Sequence, residues 1–274
     1  MNEQEWSEIR HHRRLNLSLL QAYYAVHAYP RHSHDYYVIS VVDRGLQSFL
    51  CGGDKYVTPP DGLILLNPAD AHTGEPMGSE GFAYRAIYPT AEHMQSALCE
   101  LTGHTDIVPH FKNPRADDVE LAHTLRQLHH YLQRDAEANR ETLACESQFL
   151  WLLVQLIERY GNQQPRHLLV GREDRAIARA CDYLATHFTE GVSLTELAAE
   201  TNLSRYHLLR TFRNTIGMPP HAYQESLRIR HAQKLLANAT PLAEVAYAVG
   251  YSSQAHFTQR FKQIIGVTPG KYVQ

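Results

Sequence analysis

Residues 251–272 read YSSQAHFTQRFKQIIGVTPGKY, and the fold of the C-terminal third is decided there. Ser253 has the chemistry of a helix N-cap, and Phe257, Phe261, Ile264 and Ile265 follow at helical spacing. Gly266 ends that helix and Thr268-Pro269 keeps it from resuming. The residues left facing outward are Gln254, Thr258, Gln259 and Lys262. Amides, a hydroxyl and a cation suit base edges and the phosphates beside them. A plain surface helix with a mixed polar face is the competing explanation for one such segment.

A second copy upstream removes that competitor. A shift of 49 residues pairs Ser204 with Ser253, His207 with His256, Phe212 with Phe261 and Ile216 with Ile265. It also pairs Gly217 with Gly266, Pro220 with Pro269 and Tyr223 with Tyr272. Ala198 pairs with Ala246 at a shift of 48, so the second turn is one residue longer. In the first copy Ser193-Leu194-Thr195-Glu196 is a capping box that opens a helix through Glu200. Thr201-Asn202-Leu203 makes the turn, and Ser204 caps a helix from Arg205 to Ile216. That is helix-turn-helix spacing. Between the copies Pro220–Ala237 reads as a helix, with Asn238 its cap and Thr240-Pro241 opening the next.

The same register aligns two outward sets. Arg205, Tyr206, Leu209, Arg210 and Arg213 correspond to Gln254, Ala255, Thr258, Gln259 and Lys262. Arg210 is suited to a bidentate contact with guanine, and Gln254 or Gln259 to adenine. Leu209 and Ala255 suit thymine methyls, while Arg213 and Lys262 lie where phosphates pass. Phe212 and Phe261 are core anchors, and His207 and His256 are expected to be structural. Residues 172–274 resemble the DNA-binding domain of AraC/XylS-type regulators, most closely in VAYAVGYSSQAHFTQRFKQIIGVTPGKY, residues 245–272. The resemblance implies double-stranded promoter DNA as partner, and RNA polymerase too if the protein activates, which the family favours. The family often carries arginine after the last aromatic, where this chain has Val273.

Composition agrees with two domains. The chain has 274 residues and a net charge of −3. Residues 171–274 hold 12 Lys and Arg against 8 Asp and Glu, a net of +4, and the remainder carries −7. A basic rear and an acidic front point to nucleic acid for the rear. The most apolar run, residues 149–157, is short and contains Gln155, so no membrane partner is expected. The N-terminus lacks an apolar run and a cleavage site, and Cys51, Cys99, Cys145 and Cys181 lack paired spacing. Free thiols in a reducing cytoplasm are the expectation.

From Leu19 to about Tyr88 short β-branched and aromatic runs alternate with turns such as Asp43-Arg44-Gly45, Pro59-Pro60-Asp61-Gly62 and Asn67-Pro68. The clearest strands are 36–42, 45–51, 55–57, 62–66 and 82–88, a jelly-roll or sandwich pattern. His32 and His34, two apart, share a strand face that Tyr36 continues, and His72 follows the later turn. The stretches PRHSHDYYVISVVDRG, residues 30–45, and PPDGLILLNPADAHTGEP, residues 59–76, resemble the cupin barrel and the sensing domain of AraC-type regulators. Metal-dependent cupin enzymes add a carboxylate after the histidine pair, but Val38 and Ile39 stand there. The favoured reading is a cofactor-free pocket that hydrogen-bonds a small-molecule effector through His32, His34, Tyr36, His72, Tyr84 and Arg85. Arg31 or Arg85 would meet an effector carboxylate. A zinc site on His32, His34 and His72 is an alternative, and purely structural histidines a third. His11-His12 and His129-His130 are expected at the surface.

Residues 117–134 and 140–160 read as helices. Phe149, Leu150, Leu153, Val154, Leu156, Ile157 and Tyr160 make an apolar face that either packs on the barrel or forms a two-fold interface. The expected architecture is a two-domain α+β chain: a cupin-like β-barrel with following helices, then an all-α domain of two helix-turn-helix motifs on a linker helix. The boundaries are 1–115 for effector binding, 116–161 for helical dimerisation and coupling, 162–171 for a linker and 172–274 for DNA binding. The expected function is a non-enzymatic, homodimeric transcription regulator. A metal-dependent cupin enzyme with a DNA-binding tail, or a ligand-independent DNA-binding dimer, is the alternative.

Overall fold

A computed structural model of the chain describes residues 4–103, 107–135, 142–162, 173–265 and 267–272. The linker beyond Asn162, the helix stop at Gly266 and Val273 lie outside the described residues. The chain divides into two compact units, one made from residues 1–136 and 148–168 and the other from 137–147 and 169–274.

Two antiparallel sheets make the first unit. The larger is ordered β1 (Trp6–His12), β2 (Leu17–Tyr24), β9 (Phe82–Tyr88), β4 (Val38–Gly45), β7 (Gly62–Leu66) and β10 (Arg115–Asp117). The smaller is ordered β3 (Tyr29–His32), β8 (His72–Pro76), β5 (Gln47–Cys51) and β6 (Asp54–Thr58). Strands far apart in sequence are neighbours, as β4 between β7 and β9 shows. Such non-consecutive pairing is how a jelly roll buries both inner faces. Every strand expected from sequence is present, with bounds shifted by up to three residues, and β1, β2, β3, β8 and β10 are additional.

Alternation along β9 sorts its side chains. Phe82, Tyr84 and Ala86 pack with Leu20 and Ala22 on one face, with Tyr88 beside them. Arg85 projects to the opposite face, so the expectation that it lines an effector pocket is corrected by the two-residue period of the strand. Its Nε donates to Asp43 Oδ2 at 2.7 Å, while Arg126 Nε donates to Asp43 Oδ1 at 2.7 Å. Arg126 also pairs with Asp61 at 2.6 Å and donates to the Val42 carbonyl at 2.8 Å. This charge cluster ties α2 (Val119–Asp135) to the sheet, where the helix packs on β1, β4, β7 and β9.

Two histidines expected at the surface are buried. His129, on the sheet-facing side of α2, is fully enclosed and its Nε2–H donates to the Leu20 carbonyl at 3.0 Å. His12 is buried where β1 ends, and its Nδ1 accepts from the Leu15 amide at 3.3 Å. A helix not foreseen, α1 (Ala91–Thr102), follows β9 behind a capping box of Thr90 and His93. In α3 (Thr142–Tyr160), Phe149, Leu150, Leu153, Val154, Leu156 and Ile157 are all buried within the single chain. These residues are therefore covered without a second copy.

The second unit is helical: α4 (Asp174–Thr186), α5 (Leu194–Thr201), α6 (Arg205–Ile216), α7 (Pro220–Ala237), α8 (Leu242–Ala248), α9 (Gln254–Ile265) and α10 (Pro269–Tyr272). α6 and α7 begin and end where their caps and proline place them. Val245, Ala246, Val249, Tyr251, Phe257 and Phe261 form one core with Ile229, Ala232 and Leu236 of α7. Ile264, expected in that core, is exposed instead.

A candidate nucleic-acid interface and a candidate sensing pocket

The two helix-turn-helix units are built by the same local chemistry. At the first turn the Leu203 amide reaches the Ala198 carbonyl at 3.2 Å, and at the second the Tyr251 amide reaches the Ala246 carbonyl at 3.0 Å. Each turn needs one residue in the left-handed region, Asn202 at φ 55° and Gly250 at φ 89°. Only glycine fits the second, because a Cβ there would stand 2.4 Å from the Thr189 carbonyl oxygen. Ser204 Oγ then accepts from the His207 amide at 3.3 Å and Ser253 Oγ from the His256 amide at 3.2 Å, starting α6 and α9.

The outer faces of the two second helices differ. On α9, Gln254, Ala255, Gln259 and Lys262 are exposed and Thr258 is half-buried, along one stripe of the helix. On α6, Arg213 is exposed and Arg205 and Arg210 are half-buried. Arg210 has no hydrogen bond or ion pair to another described residue. Tyr206 and Leu209, expected among the base-facing residues, are 6% and 3% exposed. They extend the buried band of Leu208 and Phe212 where α6 packs on α4, α5 and α7, so they are withdrawn from the reading set. Their apolar character beside Leu208 was the available signal.

A buried polar cluster holds α7 to the second unit of the pair. Glu225 Oε1 accepts from Tyr251 Oη at 2.6 Å and pairs with Arg260 Nε at 3.2 Å. Burial, then the nearby Glu225 carboxylate, pushes the Tyr251 phenol far up, so it stays a donor. Arg228 lies over the Tyr251 ring at 5.7 Å and donates to the Phe188 and Glu190 carbonyls at 2.6 and 3.0 Å. The linker helix is thereby pinned to the loop before α5 and to α9.

Between the two sheets lies a cavity of about 100 Å³ lined by residues of both. His32, His34, His72 and Tyr84 line it, as does Val38 in place of a carboxylate. His32 and His72 face each other across β3 and β8. His34 and Tyr36 follow the end of β3, so they sit in a loop and not on the expected common strand face. The loop still brings His34 to 4.8 Å from His32 and 5.3 Å from His72, ring centre to ring centre. Tyr36 stacks on His34 at 4.6 Å and is not among the lining residues.

Sequence reasoning missed Tyr29, Gln47 and Tyr88, which also line the cavity. Tyr88 shares the inward face of β9 with Tyr84, a signal that alternation carries. The Tyr29 hydroxyl meets those of Tyr24 at 2.8 Å and Tyr84 at 3.3 Å. Burial pushes Tyr29 up to about 12 and holds Tyr84 well above its ordinary value, so the phenols are neutral. Burial and the neighbouring imidazoles hold His34 below its ordinary value, and burial does the same to His72. Among the described residues, no Asp, Glu, Lys or Arg lines the cavity. It is an uncharged chamber of imidazole, phenol and amide groups.

Comparison with known proteins bears on both features. Residues 14–153 match the AraC-like ligand binding domain, and residues 197–274 match a helix-turn-helix domain. YbfI, an uncharacterized HTH-type transcriptional regulator of Bacillus subtilis, is 33% identical over 228 residues, covering 83% of this chain and 81% of its own. The HTH-type transcriptional activator RhaS of Escherichia fergusonii is 25% identical over 257 residues, covering 88% of this chain and 86% of its own. Among solved structures, the C-terminal domain of AraT, a response regulator from Geobacillus stearothermophilus, is 30% identical over 38% of this chain and 87% of that one, with a TM-score of 0.35. Among the described residues, no helix is long and apolar enough to cross a membrane.

Proposed function

This chain belongs to the AraC family of DNA-binding transcription regulators, and from there we propose that it is a cytoplasmic activator that engages promoter DNA through α6 and α9 together. Arg205, Arg210 and Arg213 form the DNA face of α6; Gln254, Ala255, Thr258, Gln259 and Lys262 form that of α9. The observation that carries this reading is the repeated turn chemistry, which sets two polar-faced helices on one pinned connector. Residues 172–274 serve as the DNA-binding part, 162–171 as a linker and 116–161 as the coupling segment. Activation is supported by the description of RhaS as an activator, and RNA polymerase is then a partner.

Residues 1–115 sense a small molecule in the cavity, with His32, His34, His72 and Tyr84 as the contacting groups. Tyr36 braces His34 from behind. A volume of about 100 Å³ is below the roughly 300–1,000 Å³ of drug-sized pockets, so the effector is small. It changes output by favouring one arrangement of the regulator over another, and the working form is a homodimer.

Fluorescence anisotropy of the full chain on DNA selected from a random pool tests the DNA face. Arg210→Ala is expected to cost about 1–3 kcal/mol on the selected sequence and to relax preference at one base pair. Equal loss on selected and unselected DNA would contradict a reading role for Arg210. Repeating the titration with a panel of small metabolites tests the sensing role, since an effector must shift the DNA affinity.

A further inference from the structure

We propose that His32, His34 and His72 bind a divalent transition-metal ion of the zinc class, with one coordination position open to water or to a small anionic ligand. This rests on reading the cavity as the sensing site and says what chemistry an effector there would meet. A ligand nitrogen from each of the three residues lies within 4.8 Å of the other two. The His32 and His72 rings are 4.4 Å apart, centre to centre.

The orientation of two of these rings is already fixed. His32 Nδ1 lies 2.7 Å from the Pro30 carbonyl oxygen and His72 Nδ1 lies 2.8 Å from that of Asp70. A carbonyl only accepts, so each Nδ1 carries the proton and each Nε2 keeps its lone pair. Metal-binding histidines are held in the same way, by giving the other ring N–H to a carbonyl or carboxylate. Two acceptor nitrogens turned into one small cavity, with a third imidazole beside them, are electron-rich groups in want of a cation.

Gln47 is an independent second observation. It is 8% exposed, it lines the same cavity, and its Oε1 is buried with no hydrogen-bond partner among the described residues. Buried amide oxygens are normally paired; a metal-bound water supplies the donor this one lacks. Three imidazoles with an oxygen donor suit zinc and its neighbours better than calcium or magnesium, which take mostly oxygen. With no carboxylate in the lining among the described residues, the ion's charge is left uncompensated. The open position therefore favours an anion.

The test uses the full chain stripped with chelator and dialysed, then titrated calorimetrically with Zn²⁺ alone, without DNA or metabolite. The expected result is one ion per chain, with affinity lowered at least about tenfold in His32→Ala and in His72→Ala. His11→Ala, on the exposed end of β1, should bind as the parent does. Co²⁺ in place of zinc should give the visible absorption of a four- or five-coordinate site, altered in Gln47→Leu. Metal-free melting curves identify any variant that fails to fold, and His34→Gln then stands in for it. Binding that survives in both His32→Ala and His72→Ala, or no stoichiometric binding by the parent, overturns the proposal. If zinc fails but a metabolite still shifts DNA affinity, the sensing reading stands and only the metal is lost.

Discussion

His129 shows how one enclosed side chain makes stability depend on pH. Burial pushes its imidazole down to about 4, against about 6.5 in an unfolded chain. As pH falls, the unfolded chain takes up the proton first. The contribution is therefore complete above about pH 6.5 and is eroded between there and about pH 4. Going from pH 7 to pH 5 should cost the barrel unit about 2 kcal/mol through this residue. Calorimetric melts should show that part of the pH dependence disappear in His129→Asn, which keeps an amide donor for the Leu20 carbonyl. An unchanged pH dependence would remove His129 as its source. The sequence did not announce this burial, because a His-His pair in a helix has one member on each side and only tertiary packing says which. Arg85 carries the opposite lesson. Its place on the outer face was available from the inward placement of Tyr84, by alternation alone.

Among the elements, the second helix-turn-helix turn depends on Gly250 and the first helix stop on Gly217 for different reasons. Both have positive φ, 89° and 81°. A Cβ at Gly217 meets nothing within 4 Å, whereas one at Gly250 would meet the Thr189 backbone at 2.4 Å. Gly217→Ala should therefore cost about 1 kcal/mol, the conformational part alone. Gly250→Ala should cost at least about 2 kcal/mol, because the turn must also move. Urea unfolding of the two variants measures the difference, and equal costs would contradict the close approach. The helix ends in this unit were legible from Ser193, Ser204, Ser253 and Pro220, since caps are local signals. Strand neighbours were not, because β4 pairs with β7 and β9 across long stretches of chain. The candidate pocket shared that fate: its histidines were visible in sequence, while Gln47 and Tyr29 joined them only through sheet pairing.

At the scale of the molecule, a repeat of 49 residues becomes two turns of matching geometry, and charge is divided between a basic rear and an acidic front. The rear unit presents arginines on α6 and amides, a hydroxyl and one lysine on α9. On the proposed reading, that asymmetry would give α6 more of the salt-dependent grip and α9 more of the tolerance to sequence. The most direct test is a hydroxyl-radical footprint of the full chain on DNA it has selected from a random pool. Two protected tracts about 10 bp apart on one face of the duplex are expected. Arg210→Ala should weaken one tract and Gln254→Ala with Gln259→Ala the other. A single tract, or equal weakening of both by either variant, would contradict a pair of reading helices.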